Sequence, residues 1–462
     1  MLRKLYAIMC MTFLVGFMVS VAMPLQAKVP THEAERLKTD LTPFGAERAG
    51  NAEGTIPQWE GGLTTIPENV KYDPKTTPIR PDPFADDKVL FTITAQNMEQ
   101  YADKLSEGQK AFFKNHPDSF KMNVYPTRRT AAAPQWVYDN TYKNALNGEL
   151  TEDGLGVKGA FGGIPFPIPT RGEEAIFNHA NAYQGGDTTN LSSSLLVYGD
   201  GSKSEGGGGQ YIYNRVFYDR NKTLDTFGGY NLDFVVVYEQ PARRKGEFIL
   251  TKYPLNYSET GNQATWQYMP GQRRVRRAPN LAYDTPDPSY GGIANYDDAF
   301  MFNGGIDRFN WELKGKKEMF VIYNAYQFDL ADVEDLLTPH HFNPKYVRWE
   351  LHRVWVVEAT LKEGVRHNYG KRVMYLDEDT WIILWTDSYD TRGNLWRNAV
   401  CTVKSFYDVP AIKQRAVMYF SSEKDIYCVN QVINGAVTPA VREMNLEDDF
   451  FTPQNIRKLG RR

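Results

Sequence analysis

From Gln210 onward apolar residues recur at every second position, the spacing of strands that turn one face inward. Strands are predicted over 210–219, 232–240, 247–256, 264–270, 317–326, 346–362, 371–377, 380–388, 395–408, 415–421 and 426–433. Several separators carry hairpin chemistry, among them Gly261-Asn262, Gly315, Asp377-Glu378-Asp379 and Arg392-Gly393-Asn394. Consecutive hairpins make an antiparallel meander; a parallel sheet would need crossover helices. Upstream, the spacing becomes helical. Thr94 is expected to cap a helix over roughly residues 95–115, with Met98, Tyr101, Leu105 and Phe112 on its apolar side and an end near Pro117. A second helix is expected over 135–147, stopping at Gly148, and a third from about Gly172 to Tyr183. The Gly206–Gly209 run reads as a flexible loop, without the Lys and helix start of a phosphate-binding loop. Residues 28–90 are rich in Pro, Gly and Asp and read as an extended arm, with Ile56, Trp59 and Leu63 available to dock it.

The run 346–362 is long for a strand, about 50 Å at 3.3 Å per residue. One face carries Val347, Trp349, Leu351, Arg353, Trp355, Val357, Ala359 and Leu361. Other strands are apolar on both faces, as in Phe234-Val-Val-Val-Tyr238 and Trp381-Ile-Ile-Leu-Trp385. Such a sheet needs a cover on each side. Helices and the arm can supply one cover; the other side either lines an apolar cavity or packs on a second sheet as a sandwich core.

Arg3 and Lys4 precede an apolar run from Leu5 to Met23 and an exit at Pro24-Leu-Gln-Ala27, the arrangement of a secretory signal peptide cut near Ala27. An uncleaved anchor is the rival reading, which Pro24 and the small exit residue disfavour. Removing residues 1–27, with Arg3 and Lys4, leaves 435 residues and moves the formal charge from −3 to −5. That balance argues against a nucleic-acid binder. The aromatic content, 25 Phe, 9 Trp and 28 Tyr, favours β structure. Cys401 and Cys428 are the cysteines left after the cut; on neighbouring strands an oxidising compartment would bridge them, and otherwise they are two buried thiols.

Several strings are distinctive: the arm Leu41–Gly62, Val124-Tyr-Pro-Thr-Arg-Arg-Thr-Ala-Ala132, Gly163-Ile-Pro-Phe-Pro-Ile-Pro169 before Ile176-Phe-Asn178, and Tyr268-Met-Pro-Gly-Gln-Arg-Arg-Val-Arg-Arg-Ala-Pro279. Phe302-Asn-Gly304 with Asp307-Arg308, and Arg366-His-Asn-Tyr-Gly-Lys-Arg372, complete the set. Together they resemble the exported Gram-negative proteins of the domain of unknown function 1329 family. The segment Trp266–Pro279 is also similar to a strand and turn of the broader outer-membrane lipoprotein-sorting group. The resemblance implies a mainly β fold with a few helices, a strongly curved antiparallel sheet or incomplete β-barrel plugged by helices, like the periplasmic lipoprotein carriers. It implies a periplasmic role with hydrophobic or lipid-like cargo, often beside an inner-membrane exporter and an outer-membrane protein. No catalytic residues come with it. On this reading the chain divides into a signal peptide (1–27), an arm (28–90), a helical and loop segment packing on the sheet (91–205) and an antiparallel β half-barrel (206–462).

Motifs for catalysis are missing from the sequence: there is no Gly-x-Ser-x-Gly, His-Glu-x-x-His or Cys-x-x-Cys. His340-His341 diverge on a loop and lack the convergent ligands of a metal site; Asp297-Asp298 reads as a solvated turn, with a cation site as the alternative. Glu350 and Glu358 lie about 26 Å apart along one strand, too far for a glycosidase pair. No catalytic residue, cofactor or metal is therefore expected. The expected role is a periplasmic, non-enzymatic carrier or adaptor for a hydrophobic molecule, with an exported carbohydrate-binding or glycan-processing protein as the alternative. Candidate ligand-lining residues are Trp349, Leu351, Arg353, Trp355 and Val357, with Phe234, Val236, Tyr238, Val373 and Tyr375 on neighbouring strands. Arg353, alone among apolar residues on its face, must meet a carboxylate, carbonyls, water or an anionic ligand. Arg273, Arg274, Arg276 and Arg277 form either a solvated hairpin end or a docking site for a head group or an acidic partner.

Overall fold

The computed structural model describes residues 28–460 except 262, 279–282 and 445; the signal-peptide reading and the Arg461-Arg462 end lie outside the described residues. Apart from a separate two-stranded pair, Glu149–Leu150 with Val157–Lys158, the strands in chain order are β1 (Phe91–Ile93), β2 (Met122–Val124), β3 (Thr188–Tyr198), β4 (Lys203–Asn214), β5 (Tyr230–Gln240), β6 (Phe248–Pro254), β7 (Ala264–Met269) and β8 (Arg274–Arg277). They continue with β9 (Phe309–Ile322), β10 (Trp349–Leu361), β11 (Lys371–Asp377), β12 (Ile383–Tyr389), β13 (Leu395–Ser405), β14 (Ile412–Ser421), β15 (Ile426–Val432) and β16 (Val441–Glu443). All belong to one 16-stranded open sheet, ordered β1-β2-β10-β11-β12-β13-β14-β15-β3-β4-β5-β6-β7-β8, with β9 on β10 and β16 on β3. Every pairing is antiparallel except the contact of β2 with β10 at Val124 and Trp349. Thus the mainly antiparallel β reading holds, and the sheet does not close.

The helices are α1 (Glu107–Asn115), α2 (Gln135–Asn147), α3 (Gly172–Ala180) and α4 (Pro453–Leu459), with shorter turns between strands. The helix expected over 95–115 is two pieces. A 3₁₀ segment, Met98–Lys104, ends at an extended Leu105, and α1 starts afresh at Ser106. The Ser106 hydroxyl accepts from the Gln109 amide at 3.1 Å, and the Gln109 side chain accepts from the Ser106 amide at 3.0 Å. This capping box satisfies two otherwise orphaned amides and so fixes a new helix start inside one continuous apolar pattern.

The Gly206–Gly209 run is not a loop; it lies within β4. The glycines answer a packing demand: a Cβ at Gly206 would stand 2.2 Å from the Ser289 carbonyl oxygen, and Gly209, at φ +153°, would bring one within 2.0 Å of the Val237 carbonyl. Backbone therefore approaches backbone where a side chain would collide. The sequence also concealed β3, whose Ser and Thr residues blur the two-residue period although it joins β15 to β4 and ties the two halves of the sheet together.

The main core lies where β9–β15 meet α1, α3 and the arm, and includes Phe44, Phe113, Ile176, Trp349, Val357, Trp381 and Trp385. The arm docks as expected: Trp59 Nε1 donates to the Ala131 carbonyl at 2.9 Å and Trp381 Nε1 to the Phe44 carbonyl at 2.8 Å. Across β4–β7, Ile212, Val235, Leu250 and Tyr268 pack instead with Phe451 and Ile456 of the C-terminal segment. Among the described residues no helix is long and apolar enough to cross a membrane.

Candidate ligand-binding cavity

Because successive side chains alternate across a strand, burying Ile212, Val235 and Leu250 on one face sends their neighbours to the other. There Tyr213 of β4 pairs with Phe234 of β5, Tyr211 with Val236, and Val236 in turn with Ile249 of β6. These residues, with Tyr238, Tyr253, Tyr290 and Phe300, line an aromatic chamber of about 90 Å³. A second chamber of about 60 Å³ is polar, bordered by Asn190, Arg215, Asn231, Lys413, Gln414 and Arg415. Tyr213, Tyr253, Phe300 and Gln431 line both.

Phe300 stands on the partition. Its ring lies 5.6 Å from Phe234, 6.1 Å from Tyr213 and 6.4 Å from Tyr253. It sits at φ 57° and Met301 at φ 77°, left-handed conformations that cost of order 1 kcal/mol or more in non-glycine residues. Buried charges hold this strained turn. Arg372, fully buried, donates to Asp297 at 3.0 Å and also to Asp298; His367 Nε2 lies 3.0 Å from Asp297, and the Tyr369 hydroxyl donates to Asp298 at 2.8 Å. His179 Nε2 meets the Phe300 carbonyl at 3.0 Å. Burial alone would raise the Asp297 carboxyl, but Arg372 and His367 overcome it and hold it below the ordinary carboxylate value; Asp298 is raised by burial and by its charged neighbour. Asp297-Asp298 is thus a buried anchor and not a solvated turn. The Phe302-Asn-Gly304 and Arg366–Arg372 strings flank the strained turn and its anchor, respectively.

The sequence candidates fall into separate places. Phe234, Val236 and Tyr238 line the aromatic chamber. Trp349, Leu351, Arg353, Trp355, Val357, Val373 and Tyr375 border neither chamber. Trp349, Leu351 and Val357 are main-core residues, Trp355 stacks on Trp381 with centroids 5.8 Å apart, and Val373 and Tyr375 sit on β11. Arg353 has protein partners: its Nε donates to Glu378 at 2.9 Å and a guanidinium nitrogen reaches the Ala49 carbonyl at 2.5 Å. Glu378, 2% exposed, also accepts from Lys316 at 3.0 Å and from the Glu47 amide at 3.3 Å, with Arg129 at 3.5 Å. One carboxylate therefore binds the arm, the Val124–Ala132 segment and β9–β11 together.

His352, Asp377 and Asp379 form a buried cluster with ligand-type atoms within 4.8 Å of one another, the one such group among the described residues. Both Asp379 oxygens are taken by Arg129, at 2.6 and 2.9 Å, and His352 Nε2 is held by Glu350 at 3.0 Å. Asp377 accepts from Tyr323 and Thr380 through one oxygen, and burial followed by the Asp379 charge pushes its carboxyl up to about 7.

The expected disulfide is overturned. Cys401 and Cys428 are free and buried. Cys401 of β13 pairs with Val417 of β14, whereas Cys428 of β15 pairs with Tyr419 on the other side of β14. Two strand spacings, about 9.5 Å, exceed the roughly 7 Å limit for a bridge. The arginine cluster lies on the terminal edge strand β8 and the turn before it, where Arg273, Arg274, Arg276 and Arg277 are exposed. Sequence reasoning missed Phe300, Arg215 and Lys413. Arg215 carried one signal: a lone charge between the apolar runs Tyr211-Ile-Tyr213 and Val216-Phe-Tyr218.

Comparison with known proteins places this geometry in a family. Residues 92–457 match the family described as "Protein of unknown function (DUF1329)", and the chain belongs to it. A curated relative, the uncharacterized protein PA3922 of Pseudomonas aeruginosa, is 40% identical over 395 residues, 84% of each chain. Among solved structures, a DUF1329 family protein from Desulfovibrio piger is 14% identical, with a TM-score of 0.39 over 59% of this chain and 92% of that one. The LolA superfamily protein NE2245 from Nitrosomonas europaea is 10% identical, with a TM-score of 0.36 over 62% of this chain and 98% of that one. Such distant likenesses transfer no site geometry.

Proposed function

We propose that this protein is a periplasmic carrier or adaptor for a hydrophobic or lipid-like molecule, and that it performs no catalysis. The observation that carries this reading is the inner face of β4–β6, where Phe234, Val236, Tyr238 and Ile249 line an aromatic chamber closed by the strained Phe300. Small ligands normally occupy about 300–1,000 Å³. Chambers of about 90 and 60 Å³ fall below that range even when merged, so loading requires Phe300 to swing aside and the lining around both chambers to spread. The Arg3-Lys4 and Leu5–Met23 leader supports export. The exposed arginines of β8 and its turn suit docking to an anionic membrane surface or an acidic partner, with an inner-membrane exporter and an outer-membrane protein as the expected company.

The carbohydrate-binding alternative has less support. Sugar sites present exposed aromatic platforms, and none of the nine Trp residues here is exposed. The test is mass spectrometry of an organic extract of protein purified from the periplasm. An acyl-chain or other apolar molecule in stoichiometric amount is expected; a bound oligosaccharide in its place would overturn the carrier reading.

A further inference from the structure

The polar chamber contains more buried donors than the protein satisfies. Arg215 follows β4, its backbone amide held by Asp187 at 2.9 Å, and its half-buried side chain leaves Nε buried without a hydrogen-bond partner among the described residues. Lys413, 5% exposed, has no hydrogen bond at Nζ among the described residues, and its carboxylate partner Glu443 lies 3.4 Å away with a side chain 37% exposed. Gln414 Nε2 is likewise a buried donor without a partner among the described residues. Arg415 is engaged by Asp329 at 3.3 Å, but that carboxylate also serves Lys404 at 2.7 Å. Around the chamber the four cations Arg215, Lys404, Lys413 and Arg415 thus face three carboxylates, Asp187, Asp329 and Glu443. Burial first, with the neighbouring arginines, lowers both lysines to about 8 against the pull of their carboxylates. A buried donor without a partner is costly, and an oxyanion with two acceptor oxygens matches the paired donors of a guanidinium.

Resting on the carrier reading above, we propose that the polar chamber receives the oxyanion head of an amphipathic ligand, a carboxylate or a phosphate ester, whose apolar tail lies past Phe300 in the aromatic chamber. Arg215 is the main contact, with Lys413 and Gln414 beside it. A neutral lipid-like molecule lacks the group that this end of the cavity is built to hold.

The test uses the mature chain and displacement of the fluorescent probe N-phenyl-1-naphthylamine by dodecanoate and dodecyl phosphate, each below its micellar concentration, and by 1-dodecanol below its solubility limit. At least one anion is expected to bind about 10-fold tighter than dodecanol, the gain from a charged hydrogen bond. Arg215→Gln should remove that advantage and leave dodecanol binding unchanged, with far-UV circular dichroism confirming the fold. Lys413→Met, which keeps the stem and removes the charge, should reduce it in the same direction. Preference for one anion over the other identifies the head group and supports the inference either way. If dodecanol displaces the probe as well as both anions do, or if Arg215→Gln weakens all three alike, the head-group site is wrong while the carrier reading stands. If none of the three displaces the probe, the carrier reading fails as well.

Discussion

The ring of Phe300 stands edge-on to Phe234, centroids 5.6 Å apart and planes at 81°, and Phe300 lines both the aromatic chamber and the polar one. Phe300→Ala should therefore open one continuous cavity. Hydrophobic-probe affinity is expected to rise several-fold, at a stability cost of about 1–3 kcal/mol because the ring is only half-buried. Probe titration and thermal denaturation check both. Unchanged affinity would mean that Phe300 does not control access.

Glu378 is the shared counter-charge of Arg353, Lys316 and Arg129. Removing one partner of a buried ion pair leaves an uncompensated charge, worth about 3–5 kcal/mol. Glu378→Ala should destabilise the protein by roughly that amount in denaturant unfolding and loosen the arm. Faster proteolytic cleavage within residues 28–90 is the expected signature; cleavage spread evenly along the chain would contradict the anchoring role.

Asp377 ties stability to pH. Its carboxyl rises from an ordinary 3.8 to about 7 on folding, so the folded state holds a proton that the unfolded chain has lost between those values. The associated stability is complete below about 3.8 and fades as pH rises through about 7. Asp377→Asn supplies an amide N–H where the carboxyl would carry its proton, opposite the oxygen bonded by Tyr323 and Thr380. Relative to this variant the natural protein should lose on the order of 2–4 kcal/mol between pH 4 and pH 8. Parallel stability curves for the two proteins across that range would show that Asp377 does not titrate there.

The cysteines give a chemical check of the strand order. Cys401 and Cys428 flank β14 and burial raises both thiols far above their ordinary value. Neither should react with a thiol reagent in the native protein, and both should react at once in denaturant without added reductant. Quantitative thiol titration decides it. A blocked pair in denaturant would mean a disulfide and a different arrangement of β13–β15.

Trp355 separates core from cavity. Stacked on Trp381 and covered by Lys316 at 4.8 Å from its ring, it packs half-buried against the main core. Trp355→Glu should unfold the protein or lower its stability by at least about 3 kcal/mol, as core replacements do. A stable variant that merely lost probe binding would move the ligand site to β10.

Local chemistry along the chain was enough to determine the antiparallel class, most strand positions, the helix over 135–147, the docking of the arm, and the fact that several strands are apolar on both faces. These are short-range properties: alternation, turn residues and caps act within a few positions. Parity also put Phe234, Val236 and Tyr238 on one face. What parity cannot say is what covers that face. Trp349, Leu351 and Trp355 form just as apolar a row, yet contacts from the arm, α1 and α3 fill the space against β10. Only β3, hidden by its serines, brings β4–β6 beside β15, and only the remote Arg372 and His367 hold Asp297 and Asp298 so that Phe300 reaches the chambers. Arg353 and Arg215 look alike in the chain, each a lone charge among apolar residues. Tertiary structure gave Glu378 to Arg353 and left Arg215 Nε without a partner among the described residues, because which carboxylate meets which guanidinium depends on contacts between residues far apart in sequence.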